Sequence, residues 1–300
     1  MSETAPPRCS VVIATLDRIE SLRVVLRDLG AQTTVPCELI IAAAGATGPV
    51  SELVRDAALP FAARVIACAE KSSALQRNRA AAEAAGEVIA FLDDDIEFGP
   101  DLLARTLVHF ADPAVGGVAP RIAHSDRPAP GRLTRLYYRM QAGYGDADYG
   151  ARLFGVGLNC LPVFTKDSPA RIRADWLPST CLFLRTELFR RHQFPAFTGY
   201  SFAEDVHLTA RVARESELYF LREPTLLHHS LTSEFKRDVA ALTAGKLHNM
   251  AIIARDVQGL RGFALWWRWQ LHRVFLTAVH TLRRPAGWRE ELRGVWRARP

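Results

Sequence analysis

Short apolar runs alternate with amphipathic stretches along the first third of the chain. Residues 9–15 (CSVVIAT) are largely apolar and β-branched, the pattern of a central parallel strand. The run stops at Thr15-Leu16-Asp17-Arg18, where Thr15 or Asp17 suits a helix N-cap. Leu22, Val25, Leu26 and Leu29 then recur at helical spacing, and Gly30 closes that helix. Residues 38–43 predict a second buried strand, followed by a turn from Gly45 to Gly48, a short helix at 51–58 and a third strand at 63–67. The alanine-rich stretch 74–85 predicts a helix with Gly86 at its C′ position, and 88–92 a fourth strand. Strand and helix in regular alternation imply a parallel sheet covered on both faces, whose ligands bind beyond the carboxyl ends of the strands.

Further along, a helix is expected at 101–110 and a strand at 115–122, then a proline-rich surface loop at 124–131. Residues 132–170 hold many aromatics and glycines without clean periodicity and are assigned to the acceptor side. A strand at 181–184, a helix at 186–192, and a loop at 197–202 lead to Ala203-Glu204-Asp205 and a helix that begins at Asp205. Two short strands, 218–221 and one ending at His228-His229, come next. The tail predicts helices at 238–255 and 262–282, the second with Arg261, Arg268 and His272 on one face.

Composition sharpens this picture at the tail. Residues 231–300 carry 13 Lys/Arg against 5 Asp/Glu, a charge of +8 that leaves the rest of this +6 chain at −2. Five of the six tryptophans fall there too (Trp266, Trp267, Trp269, Trp288, Trp296). Interleaved tryptophan and arginine on a helix suit peripheral contact with a membrane interface through residues 261–300, and equally a helix packed on the catalytic part. No nucleic-acid-binding module is recognisable. Five dispersed cysteines without metal spacing fit reduced thiols, the N-terminus lacks an apolar signal core, and no apolar run is long enough to span a bilayer, so a cytoplasmic setting is expected, with the inner face of the membrane in reach of the tail.

Candidate chemistry centres on Asp93-Asp94-Asp95, at the end of the fourth strand. Three adjacent like charges repel, and they make sense around a hard divalent cation such as Mn²⁺ or Mg²⁺; the plain reading is a solvated turn. Arg77 is either a surface residue or a planar fork facing a diphosphate. Glu204-Asp205 is either a helix cap or a general base for an acceptor hydroxyl. One of His228 and His229 is a candidate third metal ligand; the pattern leaves both open, with a slight preference for His229.

The order of these motifs resembles the family-2 glycosyltransferases, in particular bacterial members that transfer rhamnose-like sugars: TxxR at Thr15–Arg18, Arg77-Asn78, FLDDD at Phe91–Asp95, Asp175-Trp176-Leu177 with Arg185, GYSxxED at Gly199–Asp205, and His228-His229. The resemblance spans about residues 9–230. It implies an α/β fold of GT-A type: a parallel or mixed nucleotide-binding sheet flanked by helices, followed by a helical tail. It divides the chain into a catalytic domain at 1–230, with a nucleotide-binding half at 9–122 and an acceptor-binding half at 123–230, and an extension at 231–300. It also implies metal-dependent, inverting transfer from a nucleotide-diphosphate sugar to a hydroxyl acceptor on a glycan, lipid-linked carrier or natural product. Asp93 and Asp95 would hold the metal with His229. Thr15, Arg18, Arg77, Asp93 and Asp94 would bind the donor. Asp205, or Glu204 beside it, would be the base, and Trp176 and Tyr200 would meet the acceptor. Two departures stand out. Ala43 occupies the place of an aspartate that contacts base or ribose in the family, and Ser179 replaces a glycine after the DWL segment. The rival readings are a sugar-1-phosphate nucleotidyltransferase, whose glycine-rich GxGTRL-like loop is absent from Thr15–Arg18, and an inactive scaffold of the same fold.

Overall fold

A computed structural model describes residues 6–123, 130–143, 149–197, 202–229 and 238–300. The first half forms as its pattern dictates. Strands β1 (Cys9–Leu16), β2 (Glu38–Ala44), β3 (Ala62–Cys68) and β4 (Val88–Asp93) alternate with helices α1 (Ile19–Gly30), α2 (Thr47–Asp56) and α3 (Ser73–Ala82). All seven residues of β2 are buried, as befits a strand covered on both sides. The two-residue period of a strand sorts the side chains: Val11, Ile13, Leu39, Ile41 and Leu92 join one apolar cluster, Val12, Ile40, Ala42, Ile89 and Phe91 the other. Helices α1 and α2 cover the first cluster through Leu22, Val25, Leu26 and Val50, and α3 covers the second through Ala74, Ala80 and Ala81.

Helix α3 stops at Ala82, short of the expected Gly86 cap. Gly86 answers a different need, because a Cβ there would sit 2.5 Å from the backbone nitrogen of Ser10. The bend between α3 and β4 therefore passes directly over the start of β1.

The second half departs further from a purely parallel arrangement. It adds β5 (Ile96–Phe98), α4 (Leu102–Leu107), β6 (Val115–Ile122), α5 (Arg132–Ala142), a small hairpin of β7 (Leu153–Phe154) and β8 (Leu158–Asn159), β9 (Arg171–Ala174), β10 (Cys181–Arg185), α6 (Thr186–His192), α7 (Glu204–Val212) and β11 (Glu217–His228). Among the described residues nine strands make one mixed sheet, ordered β3-β2-β1-β4-β10-β6-β11-β5, with β9 also on β11. β3, β2, β1 and β4 run parallel; β10 is antiparallel to both β4 and β6. The two strands expected near 218–221 and 226–229 are one, β11, with a shift of register between Leu221 and Thr225. α5 and the hairpin lie where the sequence showed no period.

Three helices follow: α8 (Val239–Asp256), capped by the Asp238 carboxylate on the N–H of Ala241, α9 (Gly262–Arg283), and α10 (Trp288–Arg297), which the sequence pattern did not announce. They share a separate apolar cluster built on Leu247, Ala251, Leu265, Trp269 and Val295, joined by Val156 from the hairpin. α10 comes so close to α8 that a Cβ on Gly294 would lie 2.5 Å from the Ala240 carbonyl oxygen. No helix among the described residues is long and apolar enough to cross a membrane.

Candidate active site

The parallel strands β1 and β4 lie side by side, with Ala14 opposite Asp93, so the loop after β1 and the turn after β4 meet at one sheet edge. Three consecutive carboxylates there need counter-charge, and the neighbouring loops supply it. Asp94 is buried and accepts from the Thr15 hydroxyl at 2.7 Å and from the Arg18 guanidinium at 2.9 Å. Burial pushes its carboxyl above the usual range, while these two partners pull it back down. Arg18 also reaches Asp95 at 3.1 Å. Thr15, Arg18 and Asp94 thus form a single knot that fixes the loop after β1 to the acidic turn. Gln76 braces the same edge, donating to the carbonyls of Thr15 at 2.8 Å and Ala42 at 2.7 Å; nothing in its sequence context singled it out.

β11 ends beside β5, with His228 opposite Ile96. Strand alternation then turns His228 toward the aspartates and His229 away from them. His228 Nε2 is 3.1 Å from Asp95 and 3.9 Å from Asp93, and the hydrogen bond to Asp95 raises its imidazole above the usual value. His229 is half exposed, and its ring meets Glu97 at 3.4 Å. The expectation that favoured His229 as ligand is corrected on this point. One ligand atom each from Asp93, Asp95 and His228 lies within 4.8 Å of the others, and Asp94 stands outside the set. Two carboxylates and an imidazole are a donor set that could hold a divalent metal ion.

Arg77 leaves α3 into the protein and is only 5% exposed, so the surface reading fails. Its Nη2 donates to Asp93 at 2.5 Å, its Nη1 faces Glu204 at 3.4 Å, and its guanidinium lies over the Phe194 ring. Asn78, next in the helix, clamps Phe194 by exchanging hydrogen bonds with both its backbone groups. One buried cation therefore spans from the acidic turn to the start of α7.

Glu204 and Asp205 open α7 after Ala203, which takes a left-handed conformation at φ 64°. Asp205 accepts from the backbone N–H of Ser179 at 3.1 Å and of Val206 at 2.8 Å. The next residue of that segment, Thr180, accepts the N–H of Asp93 at 3.0 Å, so residues 179–180 tie the two carboxylate groups together. Thr209 locks the segment from below, with its hydroxyl on both backbone groups of Leu177. Burial, and then the nearby Asp205, raise the Glu204 carboxyl to about 8 against the pull of Arg77. Asp205 is also raised by burial, opposed by its two backbone donors.

One expected acceptor contact, Trp176, does not sit at this edge. Trp176 is 4% exposed and packs edge-on against Phe220 in the core, because β9 and β11 carry it inward. Tyr200 lies outside the described residues.

The Glycosyl transferase family 2 profile matches residues 10–161 of the chain. No curated protein matches it by sequence. Among solved structures it is similar to S. aureus TarS 1-349 in complex with UDP-GlcNAc, at 15% identity and a TM-score of 0.56 over 91% of this chain and 73% of that one. The mannosyltransferase PcManGT from Pyrobaculum calidifontis, in complex with GDP-Man and Mn²⁺, is similar at 16% identity and a TM-score of 0.55, over 98% and 87%. GalNAc-T7 with UDP, GalNAc and Mn²⁺ is similar at 13% identity and a TM-score of 0.55, over 83% of this chain and 48% of that one.

Proposed function

The chain belongs to glycosyltransferase family 2 and has the GT-A fold, and from that premise we propose that it transfers a sugar, with inversion, from a nucleotide-diphosphate sugar to a hydroxyl acceptor in a metal-dependent reaction. The observation that carries this reading is the linkage of two carboxylate groups: Asp93 and Asp95 with His228 on one side, Glu204 and Asp205 on the other, joined by buried Arg77 and by residues 179–180. Nucleotide sugars bound to neighbours of the same fold support the donor class. Mn²⁺ or Mg²⁺ held by Asp93, Asp95 and His228 would neutralise charge that grows on the departing diphosphate.

The protein's own groups account for the remaining steps. Asp205 takes the proton of the acceptor hydroxyl, whose oxygen bonds to the anomeric carbon as the bond to the diphosphate oxygen breaks on the opposite face. Backbone donors from Ser179 and Val206 fix the orientation of that carboxylate. Glu204, held by Arg77, keeps the guanidinium aimed at Asp93 and is the alternative base. Thr15, Arg18 and Asp94 shape the floor of the donor pocket.

Asp205→Asn should lower transfer by about 10²–10⁴-fold, the range that a positioned base supplies, while metal-dependent binding of the nucleotide persists. Normal turnover by Asp205→Asn together with an inactive Glu204→Gln would move the base to Glu204. Normal turnover by both would remove this carboxylate pair from the chemistry.

A further inference from the structure

Helix α9 is apolar on both sides. Leu265, Trp269 and Leu276 face α8 and α10, as an amphipathic helix on a core requires. Yet its outer side presents Phe263, Trp267, Val274, Ala278 and Leu282, all exposed, Phe263 at 76% and Leu282 at 83%. At 3.6 residues per turn these five share an arc of roughly 100° along a helix about 33 Å long. No charged residue falls in that arc. Arg268 is turned onto the carbonyl of Gln141 in α5, and Arg273 stacks on Trp296 of α10. An apolar groove of about 460 Å³ runs along the same side, between α9 and Trp296.

α5 widens this face. Its Tyr137 ring stacks on Phe275 of α9 at 3.8 Å, and Gln141 exchanges hydrogen bonds with Arg268. Tyr138 turns the other flank of α5 onto Tyr149 and Phe154 of the hairpin side. Leu133, Leu136 and Met140, exposed at 79%, 54% and 40%, lie on the side of the Tyr137 stripe away from Tyr138. The rim is cationic: Arg132, Arg135 and Arg139 are exposed on α5, and Arg261, Arg283 and Arg284 are exposed at the two ends of α9.

We propose that the outer faces of α9 and α5 together form a docking surface for an anionic lipid bilayer, with the apolar stripe and Trp267 entering the headgroup boundary and the arginine rim meeting the lipid phosphates. Charge decides the occupant. A second copy seated on this face through a two-fold axis would bring arginine rims against each other, whereas anionic lipid headgroups complement them. The tail segment singled out in the sequence thus supplies only part of the surface, and α5, from the chain before residue 143, completes it.

Flotation with vesicles tests this, using the full chain without nucleotide or acceptor, so that the outcome stands apart from the transferase reading. The protein should float with phosphatidylcholine vesicles containing phosphatidylglycerol, far less with phosphatidylcholine alone, and progressively less as salt rises. The double variant W267E/V274E on α9 and L136E on α5 should each lower the bound fraction by about tenfold or more. All three positions are exposed, so the thermal midpoint of each variant should match that of the wild type. Three results would overturn the proposal: no flotation with either vesicle, flotation indifferent to the variants, or a stable dimer in solution that W267E/V274E dissociates and that does not float.

Discussion

The guanidinium of Arg77 lies between Asp93 and Glu204 with almost no exposure, so its buried charge depends on the Asp93 carboxylate for compensation. Breaking such a pair from one side leaves charge uncompensated and costs roughly 3–5 kcal/mol, which makes Arg77 a structural as well as an electrostatic element of the site. Glu204 gives this dependence a pH signature. Its carboxyl moves from an ordinary 4.5 to about 8, so between those limits the folded chain holds a proton that the unfolded chain has released. The stability associated with that proton is whole below about pH 4.5 and is lost as the pH rises through about 8. Urea melts at a series of pH values should therefore show the wild type weakening across this window and Glu204→Gln weakening less, because the amide never ionises. Identical slopes would mean that Glu204 is already charged in the fold. At this scale the sequence offered residue types and left their partners open. Arg77 is open in the sequence between a surface residue and a planar fork facing a diphosphate, and α3 aims it inward onto Asp93 and Glu204.

Periodicity decided several outcomes at the scale of the element. β11 ends at His228, and the two-residue alternation that continues into His229 just beyond it sends His228 to Asp95 and His229 to Glu97. The sequence could not make that distinction, since register depends on which residue of β5 faces which of β11. Trp176 went the other way, from expected acceptor contact to core, because the partner of β9 was not visible in the chain. α8 also touches the site. Asn249, 2% exposed, donates to the carbonyl of Phe202 at 3.0 Å, and Lys246 lies over the ring of the same residue, two positions before Glu204. Asn249→Ala should cost about 1–3 kcal/mol through the unpaired groups it leaves. With a functional donor it should lower kcat several-fold with little change in donor KM, since the base is misplaced while the nucleotide side is untouched. Wild-type kcat in Asn249→Ala would separate α8 from the delivery of Glu204 and Asp205.

For the whole molecule, ligand linkage gives the broadest test. A nucleoside diphosphate that binds only the folded chain adds about 2.7 kcal/mol at a hundredfold excess over its Kd, a readily measured rise in Tm. A screen of nucleoside diphosphates should yield one that stabilises with Mn²⁺ and loses that effect on chelation. His228→Ala should remove the metal-dependent part and His229→Ala should keep it. No stabilisation by any nucleotide would count against the donor site as a whole. The same screen addresses the base reader, because Ala43 at the end of β2 offers no carboxylate to it. What the sequence determined by itself was local: the buried runs of β1, β2 and β4, the amphipathic period of α1, the acidic turn after β4, and the motif order that marks the family. Each follows from spacing within a few residues, where hydrophobic period and turn chemistry act directly. What only the tertiary structure decided was long-range. The antiparallel insertion of β10 between β4 and β6, the choice of His228, the burial of Arg77 between two carboxylates, and the union of α5 with α9 each rest on at least one contact across 65 or more residues of chain. Such pairings are selected by the packing of whole faces, and no local pattern of residues encodes which face will meet which.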